Sequence, residues 1–115
     1  RLEALFEQSP DMINFHDAEG QIIDPNPRLC ERTGYSDAEL TNMAVWDLDR
    51  EIDPAEARSI WEEMDPGDSR KLESAYNCRD GSTVPVEVHI RCLDEDETEQ
   101  FVVISRERKL PDSTA

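Results

Sequence analysis

The stretch that decides the fold is residues 70–93, RKLESAYNCRDGSTVPVEVHIRCL. Asp80-Gly81 near its middle is typical of tight hairpin turns, because glycine tolerates the positive φ angle that such turns need. After the turn, apolar side chains occupy every second position, Val84, Val86, Val88, Ile90 and Cys92, and alternate with Pro85, Glu87, His89 and Arg91. This period of two is typical of a strand with one buried face, so the stretch predicts antiparallel strands over 70–79 and 82–93.

Another strand is predicted on the C-terminal side of this hairpin. The acidic residues at 94–99 indicate a turn, and the apolar run at 101–104 predicts a strand over roughly 99–107. The length fits one domain over residues 1–109, and the polar residues 110–115 are interpreted as a linker or tail.

The N-terminal third predicts a helix followed by a second hairpin. Residues 1–8 carry an apolar helical face made by Leu2, Leu5 and Phe6. Short apolar runs at 12–16 and 21–24 flank a turn that contains Gly20, which indicates two further strands.

Short helices are predicted between the two hairpins. Asn26 suits a helix N-cap, Pro27 suits the first helical position, and Gly34 suits the left-handed residue that ends a helix. Ser36 and Glu39 have the spacing of a capping box at the start of the next helix.

A short apolar segment at 43–48 leads to the longest predicted helix. It begins at Pro54, ends near 65–67, and has one apolar face formed by Ala57, Ile60, Trp61 and Met64. Two strands, several helices and then three antiparallel strands make an α+β layout with the helices on one face of a sheet.

The charge balance excludes several classes of function. The chain has 28 acidic and 12 basic residues and a formal net charge of −16, and only Lys71 and Lys109 are lysines. Such a surface repels phosphate backbones and anionic lipids, so neither nucleic-acid binding nor membrane contact by this domain is expected. Dispersed acids with few lysines resemble proteins of halophilic archaea, in which salt screens the repulsion. Three cysteines without close spacing fit a reducing compartment, so a cytoplasmic location is expected.

Five short motifs, taken in order, resemble one protein family. They are FEQSPD at 6–11, DAEGQI at 17–22, Asn26-Pro27, TGYSxxEL at 33–40 and RDGS at 79–82. The series resembles PAS domains over roughly residues 3–108. The resemblance implies a five-stranded antiparallel sheet in the order 2-1-5-4-3, with short helices over one face.

The resemblance also implies a function. PAS domains are sensory modules joined to histidine kinases, transducers or transcription regulators, and many pair through an N-terminal helix or the outer sheet face. We therefore expect a homodimer that serves flanking signalling domains, with no catalysis by this domain itself. Two alternatives stay open: a dimerisation scaffold without ligand, and a small hydrolase that uses Cys92 or Cys78 with a histidine.

Many PAS domains bind a small molecule between the sheet and the helices. Matching to that region gives ten candidate pocket residues in this chain: Phe15, Asn26, Leu29, Leu40, Trp46, Ile60, Tyr76, Val86, Val88 and Ile90. The ligand is not predicted. Trp46, Trp61, Tyr35 and Met64 could also line a pocket, although filling the core is the favoured interpretation.

Haem and covalent flavin are disfavoured as cofactors. Haem-binding members commonly carry a histidine on the long helix, and 54–65 has none. Asn77-Cys78-Arg79 matches the flavin-adduct motif in letters but lies on the predicted hairpin strand rather than on a helix. No metal site is predicted, and His16 and His89 are expected on the outside of the sheet or with local hydrogen-bond partners.

One segment departs from the family pattern. PAS domains often close the last strand with Asp-Ile-Thr, which commonly ties the domain to its output helix. Here the residues are Ile104-Ser105-Arg106, followed by Glu107-Arg108-Lys109. Two expectations stay open: the usual coupling to an output helix is missing, or the output segment of this domain is a variant.

Overall fold

A computed structural model describes residues 2–95 and 98–109. The helices are α1 (Leu2–Gln8), α2 (Pro27–Thr33), α3 (Asp37–Leu40), α4 (Val45–Leu48) and α5 (Pro54–Glu62). The strands are β1 (Met12–Asp17), β2 (Ile22–Ile23), β3 (Ser69–Asn77), β4 (Thr83–Glu95) and β5 (Thr98–Glu107). The predicted linker at 110–115, the middle of the acidic turn at 96–97 and the side chains of Leu2, Glu95 and Thr98 lie outside the described part of the chain.

The five strands form one antiparallel sheet in the order β2-β1-β5-β4-β3, which confirms the predicted fold. The long β3–β4 hairpin pairs Ser69 with Arg91 at one end and Asn77 with Thr83 beside the turn. Alternation along β4 is as predicted, because Val84, Val86, Val88, Ile90 and Cys92 are all buried.

The two faces of the sheet have different coverings. On the inner face, Trp61 of α5 packs against Phe101 of β5 with ring centroids 5.6 Å apart, so the short helices cover this side. On the outer face, Phe6 of α1 packs against Phe15 of β1 at 6.0 Å. Both faces of β1 are therefore partly covered.

Local capping sets the helix starts where the sequence predicts them. The Asn26 side chain accepts a hydrogen bond from the Leu29 amide, and Gly34 ends α2 with a φ of 84°. Ser36 and Glu39 form the predicted capping box of α3.

Helix α5 and strand β2 are shorter than predicted. At the end of α5 the amides of Glu63 and Met64 donate to the carbonyls three residues earlier, so the last turn tightens and the helix ends at Glu62. Strand β2 ends at Ile23 because Asp24 has a φ of 46°, outside the range of a strand.

The turn glycine of the first hairpin also positions α4. Gly20 has a φ of 89°, and a β-carbon there would lie 2.5 Å from Cζ3 of Trp46. Its carbonyl accepts a hydrogen bond of 2.8 Å from the amide of Val45, the first residue of α4. The absence of a side chain thus lets the Trp46 ring lie directly on the turn.

The longest described helix has nine residues, and none of the described helices has the length and apolar character that crossing a bilayer requires.

Candidate functional site

A small cavity lies between the inner face of the sheet and helices α4 and α5. It has a volume of about 50 Å³. Its walls are mainly apolar, with a few polar side chains: Asn14, His16, Val45, Leu48, Asp49, Ile52, Ile60, Trp61, Leu72, Tyr76, Val88, Ile90 and Val103. We call this space the inner cavity.

The inner cavity brings together four of the ten predicted pocket residues: Ile60, Tyr76, Val88 and Ile90. Three others, Leu29, Leu40 and Val86, are completely buried in the surrounding core without lining it. Trp46 packs over Gly20 with its ring 6.3 Å from that of Trp61, and it also lies outside the lining.

Two predicted pocket residues have different roles. Phe15 points to the outer face, where it contacts Phe6, so its placement in the pocket is corrected. Asn26 does not line the inner cavity either, because its side-chain amide makes all its hydrogen bonds to backbone groups. Its Oδ1 accepts from the amides of Ile13 and Leu29, and its Nδ2 donates to the carbonyls of Phe6 and Asp11.

Of the two positions expected for His16, outside the sheet or with a local hydrogen-bond partner, the structure shows the second. His16 is 1% exposed, and its ring lies 4.6 Å from that of Trp61 and 4.9 Å from that of Phe101. Its Nδ1 lies 2.8 Å from the Asp17 carbonyl oxygen, so it does have a local hydrogen-bond partner. Burial lowers the pKa of the imidazole to about 4, and the ring is therefore neutral at neutral pH.

Asp49 is the carboxylate of the inner cavity. It follows α4 and pairs with Tyr76 at an isolated bridge beside β3. Its Oδ1 accepts hydrogen bonds from the Ser74 hydroxyl and the Glu51 amide. Burial raises the pKa of Asp49 despite these bonds, because desolvation disfavours the charged form.

Tyr76 supplies a second polar group to the cavity wall. Its hydroxyl is hydrogen-bonded to the Ser105 hydroxyl across the sheet interior, and burial raises its pKa. The sequence predicted Tyr76 as a pocket residue but did not predict Asn14, His16 or Asp49, because the chain contains many similar polar residues. Strand alternation would place Asn14 and His16 on one face, but it does not say which face of β1 turns inward.

The size of the inner cavity limits what it holds in this conformation. Pockets for drug-sized ligands have volumes of roughly 300–1,000 Å³. At about 50 Å³ the cavity admits only a few non-hydrogen atoms, so a haem or a flavin would require the core to open. Among the described residues, no three His, Cys, Asp or Glu side chains lie close enough to hold a metal ion.

The cysteines do not form a catalytic arrangement at this cavity. Cys78 is buried with its sulphur near the Arg32 carbonyl, outside the lining, so Asn77-Cys78-Arg79 is not at the pocket. Cys92 is buried and His89 exposed, on opposite faces of β4 as alternation predicts. Burial raises the pKa of the Cys92 thiol to about 11, which disfavours the reactive thiolate.

A second concave surface lies on the opposite side of the sheet. It is an open apolar groove between α1 and the outer face, with Leu5, Phe6, Ile13, Phe15, Val102 and Ile104 among its lining residues. We call these six residues the outer groove. Leu5 is 71% exposed and Ile104 39%, which makes them the large apolar side chains most open to water in the described chain.

Comparison with known proteins gives the family. A model of the PAS fold matches residues 6–109. The chain belongs to the PAS fold family.

Individual PAS proteins show how far the likeness extends. The PAS domain of an HTR-like protein from Haloarcula marismortui has 39% sequence identity and a TM-score of 0.89, with 94% of this chain and 95% of that chain covered. A domain of a sensory box sensor histidine kinase/response regulator from Geobacter sulfurreducens has 26% identity and a TM-score of 0.75, with 92% and 90% covered. The methyl sulfide methyltransferase-associated sensor of Methanosarcina acetivorans is 27% identical over 112 residues, which span 93% of this chain and only 11% of that protein.

Near its end the last strand has Ile104-Ser105-Arg106, where PAS domains often have Asp-Ile-Thr. Ser105 points inward to Tyr76. Arg106 points outward and donates from Nε and one terminal nitrogen to the Asp11 carboxylate, at 3.1 and 3.3 Å. The end of β5 is thereby tied to the residue before β1, and Glu107 is paired with Arg32 of α2.

Proposed function

We propose that residues 1–109 form a sensory and dimerisation module of a cytoplasmic signalling protein, such as a sensor histidine kinase, transducer or transcription regulator. The module would bind a small molecule in the inner cavity and transmit the resulting conformational change to flanking domains through its N- and C-terminal segments. The observation that carries this proposal is the convergence of Asn14, His16, Asp49 and Tyr76 on one otherwise apolar cavity. Buried polar groups around an apolar space are the usual composition of a ligand site.

The contacts of the chain ends supply a route for transmission. Ser105 reaches the Tyr76 hydroxyl at the cavity wall, and the next residue, Arg106, holds Asp11. Asn26 holds the carbonyls of Phe6 and Asp11, which connects α1 to the same end of the sheet. A ligand that moves Tyr76 would therefore shift residues that enter and leave the domain. To act as a signal, such a ligand must bind one of two conformations of the domain more tightly than the other.

The outer groove supports the dimerisation part of the proposal. Its apolar side chains are open on one side, and burying Leu5 and Ile104 against a second copy would remove them from water. The charge of −16 opposes association in dilute buffer, but salt screens that repulsion. The same composition leads us to propose a halophilic source.

A dimerisation scaffold without a ligand is the second candidate. The small volume of the inner cavity, about 50 Å³, favours it, because an already filled core needs no ligand for stability. A hydrolase is disfavoured by the neutral, buried Cys92 thiol and the outward position of His89.

Native mass spectrometry of the purified chain separates the first two candidates. A sensory module is expected to retain a small molecule, or to gain mass when metabolite mixtures are added. A chain that stays bare and gains no thermal stability from any small molecule would favour the scaffold.

Sedimentation at several KCl concentrations tests the dimer. We expect the wild-type chain to associate at high KCl and Ile104→Glu to shift it towards monomer, because the substitution places a charge in the apolar groove. Ser59→Glu adds the same charge on the exposed side of α5 and is the matched control. A chain that remains monomeric at every salt concentration would exclude dimerisation through the outer groove.

A further inference from the structure

Asp49 is the one carboxyl group in the wall of the inner cavity, and burial raises its pKa. The other titratable groups in that wall, His16 and Tyr76, are neutral at neutral pH. Both hydrogen bonds to the Asp49 carboxylate go to Oδ1. Its Oδ2 accepts none from the part of the chain that the structure describes, so this oxygen is available to a ligand.

Within the part of the chain that the structure describes, no basic side chain forms an ion pair with Asp49. The ion pairs among residues 2–95 and 98–109 involve other carboxylates, and none of them includes Asp49. A partly buried carboxylate without a counter-charge is unfavourable, because the two hydrogen bonds to Oδ1 offset only part of its desolvation. A bound cation would supply that partner.

The surroundings of Asp49 suit a cation with a short apolar part. Trp61 and Tyr76 line the same cavity, and aromatic rings attract cations through their electron-rich faces. Ile52 and Ile60 offer apolar surface for the remainder of the ligand. The volume of about 50 Å³ limits that ligand to a few non-hydrogen atoms, and the net charge of −16 raises the local concentration of cations.

We propose that the inner cavity takes a small organic cation of the alkylammonium class, whose nitrogen donates to Asp49 while its alkyl part lies against the apolar wall. The inference rests on the proposed ligand-binding function and specifies its chemistry. A neutral ligand would leave the Asp49 carboxylate without a counter-charge, and an anionic ligand would be repelled by it.

Titration of the ¹⁵N-labelled chain followed by NMR tests the inference at constant KCl concentration. The probes are n-propylammonium, 1-propanol and propionate, which share a short alkyl part and differ in charge. The indole resonance of Trp61 reports on the cavity wall, and that of Trp46 reports on a ring outside it. We expect propylammonium to shift Trp61 more than Trp46 and to bind about 10- to 100-fold more tightly than propanol, as a charge-assisted hydrogen bond implies.

Two variants locate the effect. Asp49→Asn keeps a side-chain oxygen for the Ser74 and Glu51 donors, and is expected to weaken propylammonium binding to the level of propanol. Glu51→Gln removes the same charge two residues away at an exposed position, and is expected to change binding by less than about twofold because salt screens exposed charges.

The outcomes separate this inference from the proposed function. If propanol or propionate shifts Trp61 with an affinity equal to that of propylammonium, or if Asp49→Asn leaves propylammonium binding unchanged, the cation inference is wrong while the cavity remains a ligand site. If no probe shifts the cavity resonances of the wild-type chain, the cation inference is wrong, and the native mass spectrometry result decides the ligand-binding part of the proposed function separately.

Discussion

Replacing Asn26 by alanine removes the side chain that joins three parts of this PAS domain. Asn26 is completely buried and makes four hydrogen bonds through its amide. Its Oδ1 accepts from the amide of Ile13 at 2.9 Å and from that of Leu29 at 3.0 Å. Its Nδ2 donates to the carbonyl of Phe6 at 3.1 Å and to that of Asp11 at 3.0 Å. The substitution therefore uncaps α2 and separates α1 and β1 from it.

The expected loss of stability follows from these four contacts. Loss of an N-cap side chain costs about 1 kcal/mol. Each backbone group left without a partner adds about 1–3 kcal/mol if it stays buried, and less if water reaches it. Three of the four contacts are only partly buried, so we expect Asn26→Ala to lower the free energy of unfolding by about 3 kcal/mol. That is a large fraction of the roughly 5–15 kcal/mol that stabilises a typical domain.

Urea unfolding at fixed KCl concentration measures this loss. Asn42→Ala is the matched control, because the Asn42 side chain makes one exposed hydrogen bond to the Ala38 carbonyl. We expect the control to change stability by less than about 0.5 kcal/mol. Asn26→Asp should be at least as unstable as Asn26→Ala at neutral pH, since it points a carboxylate oxygen at two carbonyls. A loss below about 1 kcal/mol for Asn26→Ala, or a wild-type stability for Asn26→Asp, would refute the reasoning.

Three further perturbations follow from the structure. The pKa of His16 is about 4 in the folded chain, against an ordinary value of 6.5. As the pH falls, the unfolded chain therefore binds the proton first. The free energy of unfolding should fall by about 3 kcal/mol between pH 6.5 and 4. His16→Gln should flatten that part of the stability curve and exposed His89→Gln should not, and equal slopes in all three proteins would contradict the buried neutral ring. Gly20→Ala should lower the free energy of unfolding, measured by thermal unfolding, by about 1–3 kcal/mol more than Gly81→Ala. Both positions have a φ near 90°, but only at position 20 would the new β-carbon press into Trp46. Equal losses in the two variants would show that the Trp46 ring moves freely. The melting temperature should rise with KCl concentration as the charge of −16 is screened, and a constant melting temperature from dilute buffer to about 1 M KCl would argue against a halophilic source.

The candidate site was only partly predictable, and the residues of β1 show why. Ile13 and Phe15 are the more apolar pair of this strand, so a pattern of two assigns them to the core. In the structure Asn14 and His16 face the inner cavity, because α1 covers the other side and gives Phe15 an apolar neighbour of its own. When both faces of a strand are covered, alternation shows which residues share a face but not which face turns inward.

Sequence alone determined the hairpin over residues 70–93, the caps at Asn26 and Ser36 and the family to which the chain belongs. Each of these depends on turn chemistry, capping and periodicity, which act over a few neighbouring residues. The tertiary structure decided the burial of His16, the position of the Asp49 carboxyl group in the cavity wall and the small volume of the inner cavity. These depend on how α4 and α5 pack on the sheet, and that packing brings together residues that lie far apart in the sequence.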